Sequence, residues 1–209
     1  MKNLLIIGAR GLGREVYLLA KESIGFNADF QVKGFLDDKI DALDGLGDFP
    51  KVLGTVEDYA IQANDVFICA LGDVKWKKHY VDLMLAKGGA FMTLIHKSAS
   101  IGIGSTVGVG SIISRYVTIT ANCSVGNYTT ITTSSDIGHD ASIGNFCHVG
   151  AFAFIGGGSS LGDFVTLHPR ASILPHKKVG NHAIVGAGSV VIRNIKERDT
   201  VFGVPARPI

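Results

Sequence analysis

The chain has 209 residues, 46% of them apolar and 18% charged, with a formal net charge of +2. That near-neutral balance supplies no basic stripe for nucleic acid, and the apolar share is that of an ordinary globular protein. Three cysteines, Cys69, Cys123 and Cys147, are too few and too apolar in setting for a disulfide framework, so they read as reduced core residues.

The chain opens on a positive start, but its apolar run breaks at Gly8 and no small-residue cleavage site follows. It therefore reads as a buried strand of a cytoplasmic protein with no membrane segment. Residues 4–7 form this strand and run into Gly8-Ala9-Arg10-Gly11-Leu12-Gly13, followed by the helical spacing of Val16, Leu19 and Ala20. Strand, glycine turn and helix make up the phosphate-cradling unit of nucleotide-binding α/β folds. Gly8, Gly11 and Gly13 would let the backbone approach a ligand, and Arg10 with Arg14 could hold a pyrophosphate. The plainer reading of the glycines is a helix packing closely on a strand.

Residues 32–36 give a second strand ending in Asp37-Asp38, about twenty residues on, where such folds place an acid against a ribose or base. The plainer alternative is a pair of carboxylates capping a turn. A third strand over residues 66–71 ends at Gly72-Asp73 and leads into a helix over 74–87, with Lys75, Lys77 and Lys78 facing either phosphate or solvent. Residues 91–95 make a fourth strand. Residues 1–94 are thus expected to be a Rossmann-like nucleotide-binding domain, shortened so that one nucleotide fits better than two.

From position 95 to 191 every sixth residue is aliphatic, from Ile95, Ile101 and Val107 through to Val185 and Val191. Ten of these seventeen are followed directly by Gly, and the residue two places before is usually small, as at Ser105, Cys123, Ser135, Cys147 and Ala153. A period of six is neither helical nor simple strand alternation; it is the signature of a parallel β-helix with coils of roughly 18 residues. The aliphatic plugs the prism, the small residue fits where it narrows, and the Gly or Asn beside it allows the tight turn. No insertion breaks the register, so an active site has no loop within one subunit to build on and is expected between subunits of a homotrimer, in grooves between prisms. Residues 193–209 lose the period and form an apolar tail for the open end or a groove.

Of seven histidines, His139 stands out because it follows Ile137-Gly138 at an outward position, with Asp140 next to it. An outward imidazole beside a carboxylate is a candidate general base, against the plain alternative of a surface histidine. Gly157 lies one coil further along, so its N–H sits about one strand spacing away, where it could serve a developing oxyanion. His148 lies half a coil off, on another face. His168, His176 and His182 follow no metal-ligand spacing and carry no assigned role.

The chain resembles, from end to end, the bacterial hexapeptide acyltransferases that join a nucleotide-sugar-binding domain to a left-handed parallel β-helix: the sialic acid O-acetyltransferase family and its nucleotide-amino-sugar N-acetyltransferase relatives. The residues carrying the resemblance are Gly8-Ala9-Arg10-Gly11-Leu12-Gly13, Phe35-Leu36-Asp37-Asp38, Leu94-Ile95-His96-Lys97-Ser98-Ala99, Thr132-Thr133-Ser134-Ser135 leading to His139-Asp140, and Gly203-Val204-Pro205-Ala206. The resemblance implies an α/β domain over 1–94 and the β-helix over 95–209, with acetyl-CoA as co-substrate and no metal. His139 would be the general base, Asp140 its orienting acid and the Gly157 N–H the oxyanion donor. His148 would touch substrate across the trimer interface, and Asp37 and Asp38 would contact the nucleoside. Leu12 stands where family members often carry His, which bears on the acceptor sugar more than on the chemistry.

The expected function is acetyl transfer to a nucleotide-linked amino sugar for a surface glycan. An O-acetyltransferase acting on sialic acid or another free sugar hydroxyl is the alternative, since residue types do not separate amine from hydroxyl acceptors. A trimeric β-helix carbonic anhydrase would need three metal-binding histidines at a spacing absent here. A non-catalytic scaffold would be indifferent to loss of His139.

Overall fold

Apolar runs too short for helices set up the first part of the chain. In the computed structural model, which describes residues 1–209, β1 (Lys2–Ile7), β2 (Phe30–Leu36), β3 (Asp65–Cys69) and β4 (Ala90–Phe91) form a parallel sheet in the order β2-β1-β3-β4. Two helices, α1 (Gly11–Lys21) and α2 (Val74–Ala86), follow β1 and β3. β3 is buried throughout, β1 from Leu4 to Ile7, and β2 at Phe30 and from Gly34 to Leu36, while α1 turns Val16, Leu19 and Ala20 inward and α2 turns Val81 and Met84 inward. A polar cluster lies at the start of β3, where Lys33 Nζ donates to the Tyr59 hydroxyl at 2.7 Å and to Asp65 at 2.9 Å. Desolvation opposes the Asp65 charge, but the hydrogen bonds from Lys33, the Gln62 N–H and Tyr59 outweigh it and hold the carboxyl below its usual range.

Two expectations need correction. Residues 91–95 are two strands rather than one: β4 closes the sheet of the first unit, and Leu94–Ile95 begins the first coil of the repeat. Lys77 is 1% exposed, so its stem packs inside and only Lys75 and Lys78 stand outward, Lys78 paired with Asp82.

The chain divides into two compact units, Met1–Leu94 and Ile95–Ile209. The second is a left-handed parallel β-helix of two-residue strands in three sheets, each strand pairing with the one 18 residues on, as in Ser124↔Ser142 and Thr130↔His148. Every inward aliphatic from Ile113 to Val191 is buried in one continuous column. The small residues beneath them do more than fill space. Ser111 Oγ donates to Gly126 O and accepts from the N–H of Thr129, whose own hydroxyl repeats the pattern with Gly144 and Cys147. Cys123 and Cys147 take the same place, their thiols donating to the carbonyls of Gly138 and Gly162, and all three cysteines are free.

The glycine after the aliphatic has a role other than the expected turn. None of the ten has positive φ. A methyl group there would strike the next coil: 2.5 Å from Gly157 N at Gly138 and 2.6 Å from Pro169 N at Gly150. The left-handed conformation falls three places after the aliphatic instead, mostly on non-glycine residues such as Asn122 (φ 57°), Asp140 (φ 59°) and Phe146 (φ 55°). At one corner the strain is offset by stacking, with Tyr128, Phe146, Phe164 and His182 piled at centroid spacings of 4.8, 5.2 and 4.7 Å. The tail, expected at the open end or in a groove, continues the prism. Thr200–Phe202 pairs with Ile184–Val185 as a further rung, and Val201 is buried beneath it.

Replacing Gly144 with Ala puts a methyl 2.5 Å from Gly162 O and is expected to cost about 2 kcal/mol, lowering Tm by about 4–8 °C in a chain of this size. Gly11→Ala, with nothing within 4 Å and a helical backbone, is expected to leave Tm unchanged or raise it.

Candidate active site

The carboxyl ends of β1, β2 and β3 open on a cavity of about 350 Å³ lined by Gly8, Arg10, Asp37, Asp38, Trp76 and Tyr80, with apolar walls from Ile7, Leu36, Val56 and Leu71. This is where an open parallel sheet binds ligands. Gly8 has φ 96°, and a methyl there would meet Leu71 at 2.9 Å, so only glycine serves. Asp37 is buried and works on the scaffold as well as lining the cavity: it accepts from the Ala9 N–H at 2.8 Å and the Lys39 N–H at 2.9 Å. Asp38 is exposed and accepts from the Tyr80 hydroxyl at 2.6 Å. Partial burial, then the hydrogen bond to Asp38 and its charge, push the Tyr80 phenol up to about 12. Asp73 caps α2 through the N–H groups of Lys75 and Trp76.

Of the sequence-derived cavity residues, Gly8, Arg10, Asp37 and Asp38 come together, while Gly11 and Gly13 stand off the lining. Gly13 packs against the Gly8 carbonyl, which is the close helix–strand contact of the plainer reading. The N–H groups of Gly11, Leu12 and Gly13 precede the first helical hydrogen bond, Arg14 N–H to Arg10 O, and so remain open to an anion. Trp76 and Tyr80 were not singled out from the sequence, although their i, i+4 spacing sets them on one face of α2. They stack at 6.0 Å, and Trp76 is 57% exposed at the cavity.

On the second unit, His139 follows the strand Asp136–Ile137 at the prism corner. Its Nδ1 lies 2.7 Å from Asp140 Oδ2. The hydrogen bond with His139, and after it the Asn122 side chain one coil upstream, hold the Asp140 carboxyl below its usual range against some desolvation. A carboxylate accepting at Nδ1 leaves Nε2 with its lone pair. That Nε2 is 2.7 Å from where a Gly157 side chain would begin, so the ring needs glycine there. The Gly157 carbonyl accepts from the His176 N–H and the Gly158 N–H donates to His139 O, whereas the Gly157 N–H donates to no group of the chain. His148 sits on another sheet, between Thr130 and Thr166. No three His, Cys, Asp or Glu side chains gather in a way that would hold a metal ion, and no helix is long and apolar enough to cross a membrane.

Asp38→Asn removes the charge beside Tyr80, so the phenol is expected to ionise at lower pH than the wild type's value of about 12, yet above an ordinary tyrosine because desolvation persists. A pH titration of the tyrosine ring carbons by NMR reads this directly.

Residues 3–84 match the family model of the PglD N-terminal domain. A sequence comparison with curated proteins finds no match. Among solved structures, the acetyltransferase domain of PglB from Neisseria gonorrhoeae is 25% identical with a TM-score of 0.90, the match covering 100% of both chains, and it has also been solved with acetyl coenzyme A. PerB from Caulobacter crescentus, in complex with CoA and GDP-perosamine, is 25% identical with a TM-score of 0.89 over 100% of this chain and 98% of that one. WeeI from Acinetobacter baumannii, at 23% identity and a TM-score of 0.75, shares the fold. The chain thus pairs a segment matching the PglD N-terminal domain with a left-handed β-helix, and from end to end it is similar to nucleotide-amino-sugar N-acetyltransferases of the hexapeptide-repeat type.

Proposed function

We propose that the protein is an acetyl-CoA-dependent acetyltransferase that acylates the amine of a nucleotide-linked sugar, working as a cytoplasmic homotrimer. The observation that carries this reading is the placement of His139 Nε2, with Nδ1 bound to Asp140, beside a Gly157 N–H that donates to nothing in the chain. That pairing suits acyl transfer, which needs a base for the amine proton and a donor for the carbonyl oxygen as charge develops on it. It fits the end of an acyl-CoA, whose thioester supplies an activated acetyl group. PerB, a structural neighbour, is solved with CoA and GDP-perosamine, which supports both substrates.

In the reaction His139 Nε2 takes the proton of the attacking amine while Asp140 steadies the imidazolium through Nδ1. Gly157 N–H holds the acetyl oxygen as the carbon–nitrogen bond forms and the carbon–sulfur bond breaks, and the proton on His139 can then pass to the departing thiolate. Transfer is direct, since Cys123 and Cys147 are buried with their thiols turned to backbone carbonyls. In the first unit, Gly8 and Arg10 at the cavity, with the open N–H groups at the start of α1 beside them, would face the diphosphate and Trp76 would stack on the base, with Asp37 and Asp38 toward the nucleoside. His148 would reach substrate from a neighbouring subunit. Support for a trimer comes from apolar side chains left outward on the prism, Phe152 at 56% and Phe154 at 39% exposure.

Thiol release from acetyl-CoA, measured against UDP-, GDP- and dTDP-linked amino sugars and free sialic acid, tests this. Turnover is expected with a nucleotide amino sugar, falling by about 10²–10⁴-fold in His139→Ala. Trp76→Ala is expected to raise KM for the nucleotide sugar by about tenfold with little change in kcat. Acetylation of sialic acid alone would overturn the acceptor assignment, and full activity in His139→Ala would overturn the base.

A further inference from the structure

We propose that His176 is the acyl-donor contact of this site, its imidazole donating a hydrogen bond to the carbonyl of the pantetheine amide nearest the thioester. The inference rests on the acetyl-CoA reading above. Gly104, Asn122, Asp140, Gly158 and His176 recur every 18 residues at one corner of the prism, all with positive φ. Side chains in this column lean back toward the preceding coil, so that Asn122 Oδ1 crowds the space above Gly104 and His176 Nδ1 stands 2.5 Å from where a Gly158 side chain would begin. His139 leans the other way, onto Gly157. Two imidazoles from opposite sides therefore fill the room left by two missing side chains.

The backbone ties the same residues together. Gly158 N–H donates to His139 O at 2.8 Å, and His176 N–H donates to Gly157 O at 3.0 Å. Both histidines thus fix the peptide that joins the two glycines, and the Gly157 N–H donates to no group of the chain. An acetyl oxygen held by that N–H has the acceptor amine on the His139 side, next to the base. The sulfur and its pantetheine arm are left the opposite side, where His176 stands. The His176 ring is exposed and makes no hydrogen bond within the chain, so it has no structural task that would account for its position over the glycine. Its spacing of 37 residues from His139 places it two coils away.

Calorimetric titration of free coenzyme A, together with steady-state kinetics, tests the assignment. His176→Ala is expected to weaken CoA about five- to tenfold and to raise KM for acetyl-CoA by the same factor. The kcat and the KM for the acceptor are expected to hold. His176→Asn, which keeps an N–H near the position of Nδ1, is expected to restore most of the CoA affinity. Equal CoA affinity in wild type and His176→Ala would overturn this proposal alone, as would a loss confined to kcat or to the acceptor KM. Failure of the wild type to bind CoA at all would overturn it together with the acetyl-CoA reading.

Discussion

Successive coils of the β-helix lie so close that a methyl group on the residue after the inward aliphatic would sit 2.5–2.6 Å from the backbone of the next coil, at Gly138, Gly150 and Gly156 alike. The rest of the second unit depends on that approach. It lets the two-residue strands pair along three sheets, brings the aliphatic column into continuous contact, and allows each small hydroxyl or thiol to bridge one coil to the next. It also builds the chemistry. Residues a coil apart become neighbours, so His139 reaches Gly157 and Asn122 reaches Asp140 without any loop to carry them. A site made this way is held by main-chain hydrogen bonds on rigid rungs, an arrangement that would suit the base and oxyanion donor proposed for His139 and Gly157.

Much of this was legible in the chain. The six-residue period states the β-helix outright, because no other regular structure returns a side chain to the core at that interval. The glycines were legible as necessary but not for their reason: sequence alone does not distinguish a glycine that must turn from one that must not touch, and the structure shows the second. The positive φ values at Phe146 and Phe164 were hidden because aromatic residues do not advertise that conformation, which is stabilised there by stacking between coils. At the cavity, Asp37 and Asp38 were found by their distance from the glycine turn. Their different tasks were not: Asp37 holds the turn itself while Asp38 faces outward to Tyr80. Trp76 lay within a helix whose lysines drew attention, and its exposure is a tertiary fact.

In the proposed reaction the two units would divide the work by the kind of backbone each offers. A parallel sheet ends in loops and a helix N-terminus, which suit a phosphate and a flat aromatic base. A β-helix offers repeated corners at fixed spacing, which suit an extended arm and a reaction centre. Burial pushes the Cys69 thiol up to about 12, leaving it an inert part of the first unit's core.

The proposed chemistry turns on which nitrogen of His139 carries the proton. With Nδ1 2.7 Å from an ionised Asp140, the neutral ring is expected to keep its proton there and present a bare Nε2. A nitrogen-15 NMR spectrum of the histidine side chains at neutral pH, with His139 assigned by substitution, reads the tautomer directly. A pyrrole-type Nδ1 and a pyridine-type Nε2 are the predicted result; a protonated Nε2 with a bare Nδ1 would contradict the role given to His139 and with it the mechanism.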